Sequence, residues 1–178
     1  MEKESSTHAQ RVKLLCLEIA LNMGMNEQAA FSIASAAYFH DIGKSHIPDQ
    51  ILNKPGKLTQ EEYACLKTHT ISGYTILRKY NSPIMRLSAE IALLHHERLD
   101  GQGYPCGISG NSISLPVRMV TVADVFDALT SERAYRTAWP VSKALAYIHN
   151  GIETAFDENI VASLIYIIQR NIQHEYAG

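Results

Sequence analysis

Apolar residues recur along this chain at helical spacing, and the pattern predicts a succession of helices with no strand among them. Over residues 7–23, Val12, Leu14, Leu15, Leu17, Ile19 and Leu21 fall between polar residues and give a broad apolar face. Thr7 or Ser6 is placed to cap this helix and Gly24 to stop it. A second helix is expected from Asn26 to about His40, with Ala30, Ile33, Ala34, Ala37 and Tyr38 as its stripe. His40 and Asp41 fall at its end, and Gly43 is read as permitting a turn that a residue with a Cβ resists. Residues 45–58 contain two Pro and a Pro-Gly dipeptide and read as a connector pinned by Ile47, Ile51, Leu52 and Leu58. Thr59-Gln-Glu-Glu62 is a capping box, and the helix it opens is expected to reach about Tyr80 with His69 in its middle.

Ser82-Pro83 combines a cap with a first-turn Pro, and the helix that follows carries Ile84, Leu87, Ile91 and Leu94 before ending near His95-His96. A long Gly-rich loop comes next, and loops of that length inside a compact domain are usually functional or disordered. Its aromatic residue and short apolar runs favour a folded one. Leu115-Pro116 starts a helix whose core face is Met119, Val120, Val122, Ala123, Phe126 and Leu129, with Asp124 and Asp127 one turn apart on it. Two final helices are expected over about 141–149 and 158–174. The fold class is all-α, read as one domain over residues 1–178 with about six to eight helices.

Composition narrows the function. With 46% hydrophobic residues the chain can bury a sizeable core, and its formal charge of −2 argues against binding a nucleic acid polymer. A small anionic ligand held by a few placed cations is allowed. Three Cys without a CxxC spacing suit a reduced, cytoplasmic compartment. Met1–Gln10 is polar, and no apolar run approaches the ~18–20 residues of a membrane span.

Five His (His8, His40, His69, His95, His96) and two Asp (Asp41, Asp124) sit on or at the ends of the expected helices. A single helical His is usually a hydrogen-bonded or half-exposed residue rather than a ligand. Asp124 beside an apolar face is harder to dismiss, because a buried carboxylate needs a partner. Imidazole and carboxylate together suit Fe, Mn, Zn or Ni with positions left for water and substrate. Asp41 is the natural bridge between two ions because His40 is attached to it. Ions roughly 3.5–4 Å apart can clamp a phosphoryl oxygen, which is an arrangement for hydrolysing a phosphate ester. Lys44, Arg133 and Arg136 follow these acids closely enough to hold phosphate oxygens, although surface charge is the usual fate of such residues.

His40-Asp41-Ile-Gly-Lys44, His95-His96-Glu97-Arg98 and Asp100-Gly-Gln-Gly103-Tyr104-Pro105 together resemble the signature of HD-GYP domains. The likeness continues through Lys54-Pro55-Gly56-Lys57-Leu58, Asp124-Val-Phe-Asp127 and Arg133-Ala-Tyr-Arg136, from about His8 to Val161. It implies a bacterial phosphodiesterase that opens cyclic di-GMP to pGpG or GMP, using a hydroxide held between two or three divalent metals, Fe or Mn before Zn or Ni. The implied ligands are His8, His40, Asp41, His69, His95, His96 and Asp124, with Glu4 as an extra carboxylate for a third metal. Asp41 and Lys44 then stand at the reaction, and Lys44, Arg133 and Arg136 hold phosphates. Asp127 orients a ligand or water. Gly103, Tyr104 and Pro105 approach the guanine end or support the His95-His96 corner.

The same resemblance implies a loop that docks diguanylate cyclase (GGDEF) domains. Helices 8–23 or 158–174 offer faces for a homodimer, although core packing explains those faces equally well. Gln102, Ala134 and Glu158 depart from the family pattern without touching an implied ligand. The chain is expected to be a stand-alone hydrolase or the catalytic domain of a longer protein. Two other functions fit the same residues: an inactive cyclic di-GMP sensor that signals through a partner, and a hydrolase of hybrid cyclic GMP-AMP.

Overall fold

A computed structural model describes residues 2–132 and 137–176, with the side chains of 2–5 and 174–176 left aside. Among the described residues there are nine α-helices, joined by loops and two 3-10 turns. They are α1 (Glu2–Asn22), α2 (Glu27–Ala37), α3 (Asp49–Leu52), α4 (Gln60–Lys67), α5 (His69–Leu77), α6 (Pro83–Leu94), α7 (Leu115–Thr130), α8 (Val141–Asn150) and α9 (Glu158–Tyr176). The only β pairing among these residues is an isolated bridge between Ile152 and Phe156, so the fold is all-α as expected. Helix α3 is barely one turn, and the other eight are longer.

The core follows the periodicity. Val12, Cys16, Ile19 and Ala20 line the buried side of α1, at the i, i+4, i+7, i+8 spacing of a helix face. They meet Ile33 of α2, Ile148 of α8 and Ile160, Leu164 and Ile167 of α9 in one cluster. Helix α7 is buried nearly all round, through Val117, Met119, Val120, Val122, Ala123, Phe126 and Leu129. A helix apolar on all sides runs through the middle of a protein. It therefore carries Asp124 and Asp127 inward with it. The faces of α1 and α9 meet each other within the chain, where the Asn22 amide donates to Ser163 Oγ at 3.0 Å.

Local chemistry sets most boundaries where it was expected to. Asn26 caps α2, Thr59 and Glu62 close a capping box on α4, and Ser82 caps α6. Gly24 ends the first helix at φ 80°.

Three expectations need correction. Helix α1 begins at Glu2, so Ser6 and Thr7 lie inside it rather than capping it, and position 4 is one turn before His8. The helix expected over 59–80 breaks at Thr68. The Thr68 hydroxyl donates to the Cys65 carbonyl, His69 Nδ1 to Leu66 and the Thr70 hydroxyl to Lys67. Three successive side chains thus satisfy the last carbonyls of α4, and the chain can turn there without orphaned groups. His69 consequently opens α5 instead of sitting mid-helix. Helix α2 ends at Ala37, and His40 and Asp41 fall in the tight turn beyond it, where the His40 amide bonds back to Ala37 at 3.1 Å. The 3-10 turn of Ile42–His46 follows and runs into the connector expected from residue 45.

Candidate metal centre

Five helices deliver the chemistry to one place. His8 comes from α1, His40 and Asp41 from the turn after α2, and His69 from the start of α5. His95 and His96 come from the end of α6, and Asp124 and Asp127 from α7. The imidazoles pack as a chain of rings. Centroids lie 5.2 Å apart for His8–His40 and His40–His95, 5.4 Å for His69–His95, and 4.0 Å for His95–His96.

Two clusters of donor atoms result. In one, His8 Nε2 lies 3.2 Å from His40 Nε2 and 3.2 Å from Asp124 Oδ1, while His40 Nε2 lies 3.4 Å from Asp41 Oδ2. In the other, His69, His95 and His96 each offer one nitrogen within 4.8 Å of the rest. Asp41 joins the two. Its Oδ2 faces His40, and its Oδ1 lies 3.4 Å from His69 Nε2 and 3.7 Å from His95 Nε2.

The imidazole orientations are fixed from behind. Nδ1 of His40 donates to the Ala37 carbonyl at 2.8 Å, Nδ1 of His69 to Leu66 at 2.7 Å, and Nδ1 of His95 to Ile91 at 3.0 Å. A carbonyl only accepts, so each Nδ1 carries the hydrogen and each Nε2 is turned to the centre. His8 is held instead by a carboxylate, with Nδ1 2.6 Å from Asp127 Oδ2.

Electrostatics separates the two clusters. Burial disfavours a charge on His40, but Asp41 and Asp124 outweigh it and push the group up to about 10. Burial likewise works against His8, and hydrogen bonds from Asp124 and Asp127 raise it nonetheless. Asp41 and Asp124 resist the upward push of burial because His40 and its neighbours hold both carboxyls well below their ordinary range. The second cluster behaves in the opposite way. Burial brings His69 down to about 4 and, reinforced by the neighbouring His95, brings His96 down to about 2. Without a cation, His69 therefore presents a lone pair to Asp41 Oδ1 across 3.4 Å. That oxygen is buried and has no hydrogen-bond partner. Two electron-rich groups held face to face, one of them an orphaned carboxylate oxygen, fit a divalent cation between them. The first cluster fits one too, with the proton on His40 occupying the place of the positive charge.

Lys44 Nζ pairs with Asp41 Oδ2, so its charge lies against the bridging carboxylate. Asp127 supports His8. Tyr104 stacks on His96, centroids 4.7 Å apart at 26°, and its amide donates to the His96 carbonyl at 3.2 Å. Gly103 passes so close to Glu97 and Arg98 that a Cβ would meet Glu97 Cα at 2.5 Å. Pro105 follows, half-buried. This loop therefore stands at the His95-His96 corner. Arg133 and Arg136 lie outside the described residues, as does the side chain of Glu4.

Gly43 requires a different account from the one its position suggested. Its φ is not in the left-handed region. A Cβ at Gly43 would instead overlap the carbonyl oxygen of His69 and the amide of Gly73. The residue is small because the His40-Asp41 turn presses directly on the backbone of α5.

Several supporting residues had no assigned role. Arg11 donates to Asp127 Oδ1 at 2.5 Å and to Ser131 Oγ at 2.8 Å, completing a line from His8 through Asp127 to Arg11. Glu97 is buried, and its Oε1 accepts from the amides of Cys106 at 2.6 Å and Gly107 at 3.1 Å, pinning the Gly-rich loop. Thr121 donates to the His95 carbonyl at 2.8 Å and fixes that corner to α7. A carboxylate at the start of a Gly-rich loop, whose amides need acceptors, was a usable signal for Glu97. Nothing local signals Arg11 or Thr121.

The profile of a family described as "HD domain" matches residues 2–160. The chain belongs to that family. Among curated relatives of this HD domain, a Thermotoga maritima protein named cyclic di-GMP phosphodiesterase is 44% identical over 92% of this chain and 45% of its own length. The 3′3′-cGAMP-specific phosphodiesterase 3 of Vibrio cholerae is 42% identical over 88% of this chain and 34% of its own length. An HDG"Y"P protein from Bdellovibrio bacteriovorus shares the fold, with a TM-score of 0.74 at 20% identity over 93% of this chain and 52% of that one. The HD domain thus spans less than half the length of the curated relatives it matches. No helix among the described residues is long and apolar enough to cross a membrane.

Proposed function

We propose that this HD domain is a metal-dependent phosphodiesterase whose substrate is cyclic di-GMP, opened to pGpG or further to GMP. One observation carries the reading: Asp41 presents one oxygen to each of two donor clusters, and the inner oxygen is buried without a partner. His8, His40, Asp41 and Asp124 would hold one ion, and His69, His95, His96 and Asp41 the other. Divalent metals bound there, Fe or Mn by donor set, would supply Lewis acidity and an activated water. The chain's own residues prepare the rest. Nδ1 hydrogen bonds keep each imidazole turned inward, and burial keeps His69 and His96 unprotonated. Lys44 brings positive charge beside Asp41 to meet phosphate oxygens, and Arg133 and Arg136 are assigned the same duty from sequence. Glu4, one turn before His8, is assigned to a third ion on the same ground.

A second reading has a specific observation behind it. A relative named for 3′3′-cGAMP is 42% identical to this chain, close to the 44% of one named for cyclic di-GMP, so the hybrid dinucleotide stands as the alternative substrate. The complete donor set argues against an inactive sensor.

The test is turnover of each dinucleotide by anaerobically purified protein reconstituted with Fe(II) or Mn(II), beside Asp41→Ala. Formation of pGpG or GMP that vanishes in the variant supports the proposal. Faster turnover of cGAMP reassigns the substrate, and binding without turnover in metal-loaded protein replaces the hydrolase by a sensor. Metal content that never exceeds two ions per chain refutes the role of Glu4.

A further inference from the structure

Lys67 is the last residue of α4, two before His69, and its ammonium is held by aromatic rings rather than by a carboxylate. Its Nζ lies 4.7 Å from the centroid of Tyr63 and 5.1 Å from that of Tyr104. The two tyrosines meet edge to face at 6.4 Å, and Tyr104 stacks on His96. One ring therefore separates this ammonium from an imidazole of the second donor cluster. Tyr63 is 46% exposed and Lys67 half-buried, so the bracket opens to solvent at the edge of the site.

The other described cations around the site are matched by acids. Lys44 pairs with Asp41, Arg11 with Asp127, Arg98 with Asp100, and Lys54 with Glu62. Lys67 has no carboxylate at ion-pair distance among the described residues. Ring faces attract and orient an ammonium, yet they do not neutralise it. It is a positive charge held in place beside the centre and left for a ligand.

We propose that Lys67, oriented by Tyr63 and Tyr104, binds the second phosphate of a cyclic dinucleotide, the one not being hydrolysed. This inference rests on the cyclic dinucleotide reading above. Such a ligand carries two phosphodiesters on opposite sides of one ring. When one lies at the donor clusters beside Lys44, the other is held away by the width of the ring and needs a cation of its own. A compact ammonium on a flexible stem suits a phosphate oxygen as a point charge. Lys67 is then a specificity-determining residue: it favours a cyclic diester with two phosphates over a diester with one.

The experiment compares wild type, Lys67→Met and Lys67→Arg, all metal-loaded, on cyclic di-GMP and on bis(4-nitrophenyl) phosphate, which has a single phosphate. Equilibrium binding of a fluorescent cyclic di-GMP analogue is measured in parallel. Met keeps the apolar stem between the rings and removes only the charge. The expected result for Lys67→Met is a KM and analogue Kd raised about tenfold, as for loss of one half-exposed charged hydrogen bond. Its kcat stays within about twofold of wild type and the single-phosphate diester is unaffected, by the same reasoning. Lys67→Arg recovers most of the loss. Unchanged KM and Kd, or equal slowing of both substrates, overturns the assignment and leaves Lys67 as a staple between α4 and the loop. If wild type binds the analogue without hydrolysing cyclic dinucleotides, the hydrolase reading fails, and the Kd of Lys67→Met still decides this one. Absence of binding by wild type overturns both.

Discussion

Replacing Gly43 by Ala tests the account of the His40-Asp41 turn most directly. A Cβ there would overlap two backbone atoms, the His69 carbonyl oxygen and the Gly73 amide nitrogen. Neither is the end of a side chain that can swing aside, so α5 itself must retreat. Overpacking typically costs about 1–3 kcal/mol, and a backbone-on-backbone clash belongs at the upper end. Stiffening of the unfolded chain returns only ~0.4–1 kcal/mol. The net expectation is a loss of about 2–3 kcal/mol. With a urea slope of about 2 kcal/mol per molar, the midpoint falls by ~1–1.5 M.

Gly24→Ala is the control. Nothing lies within 4 Å of its Cβ, but φ is +80°, so only backbone strain opposes the change. A loss of about 1 kcal/mol is expected there. The two variants also differ in metal binding, because His69 opens the helix that Gly43→Ala displaces. Elemental analysis should find Gly43→Ala deficient in metal and Gly24→Ala fully loaded. A Gly43→Ala protein with a wild-type midpoint and full metal content would refute the close-approach argument.

Asp127→Ala should weaken metal binding about 10–100-fold, because His8 loses the partner that fixes its ring, and chelator competition measures this. Equal affinity would show that His8 is oriented without it. The metal-free protein should be most stable near pH 6.5 and lose stability on both sides. Native His40 keeps its proton up to about 10 while the unfolded chain releases it near 6.5, so that contribution is full below 6.5 and fades as the pH rises toward 10. His69 and His96 refuse protons that the unfolded chain accepts near 6.5, so stability also falls as the pH drops from there, toward 4 for His69 and on toward 2 for His96. Urea midpoints measured in chelator from pH 4 to 10 test the shape, and a monotonic profile contradicts it. Saturating metal should flatten the alkaline limb, since an ion replaces the His40 proton.

The donor set illustrates how far local reading reaches. His40-Asp41 and His95-His96 were conspicuous as adjacent pairs, and Asp124 stood out as an acid beside an apolar face. Each is a signal within a few residues. Lys67 and Tyr63 gave none, because a half-exposed Lys and Tyr one turn apart on a helix are ordinary. Their meaning arises only when Tyr104, from a loop far along the chain, comes to lie beside them. Arg11 is the extreme case: its partner Asp127 lies 116 residues away.

The sequence by itself determined the all-α class, most of the helices, the caps at Asn26, Thr59 and Ser82, and the kinds of donor atom on offer. Periodicity, capping and side-chain chemistry act over one or two turns and are written locally. Only the tertiary structure decided which oxygen of Asp41 faces which cluster, and that Gly43 is small for want of space rather than for a turn. It also decided that the helix over 59–80 breaks so that His69 opens α5. These depend on how close separate helices approach, which is set by the packing of their whole faces against α7 and the core and not by any residue's immediate neighbours.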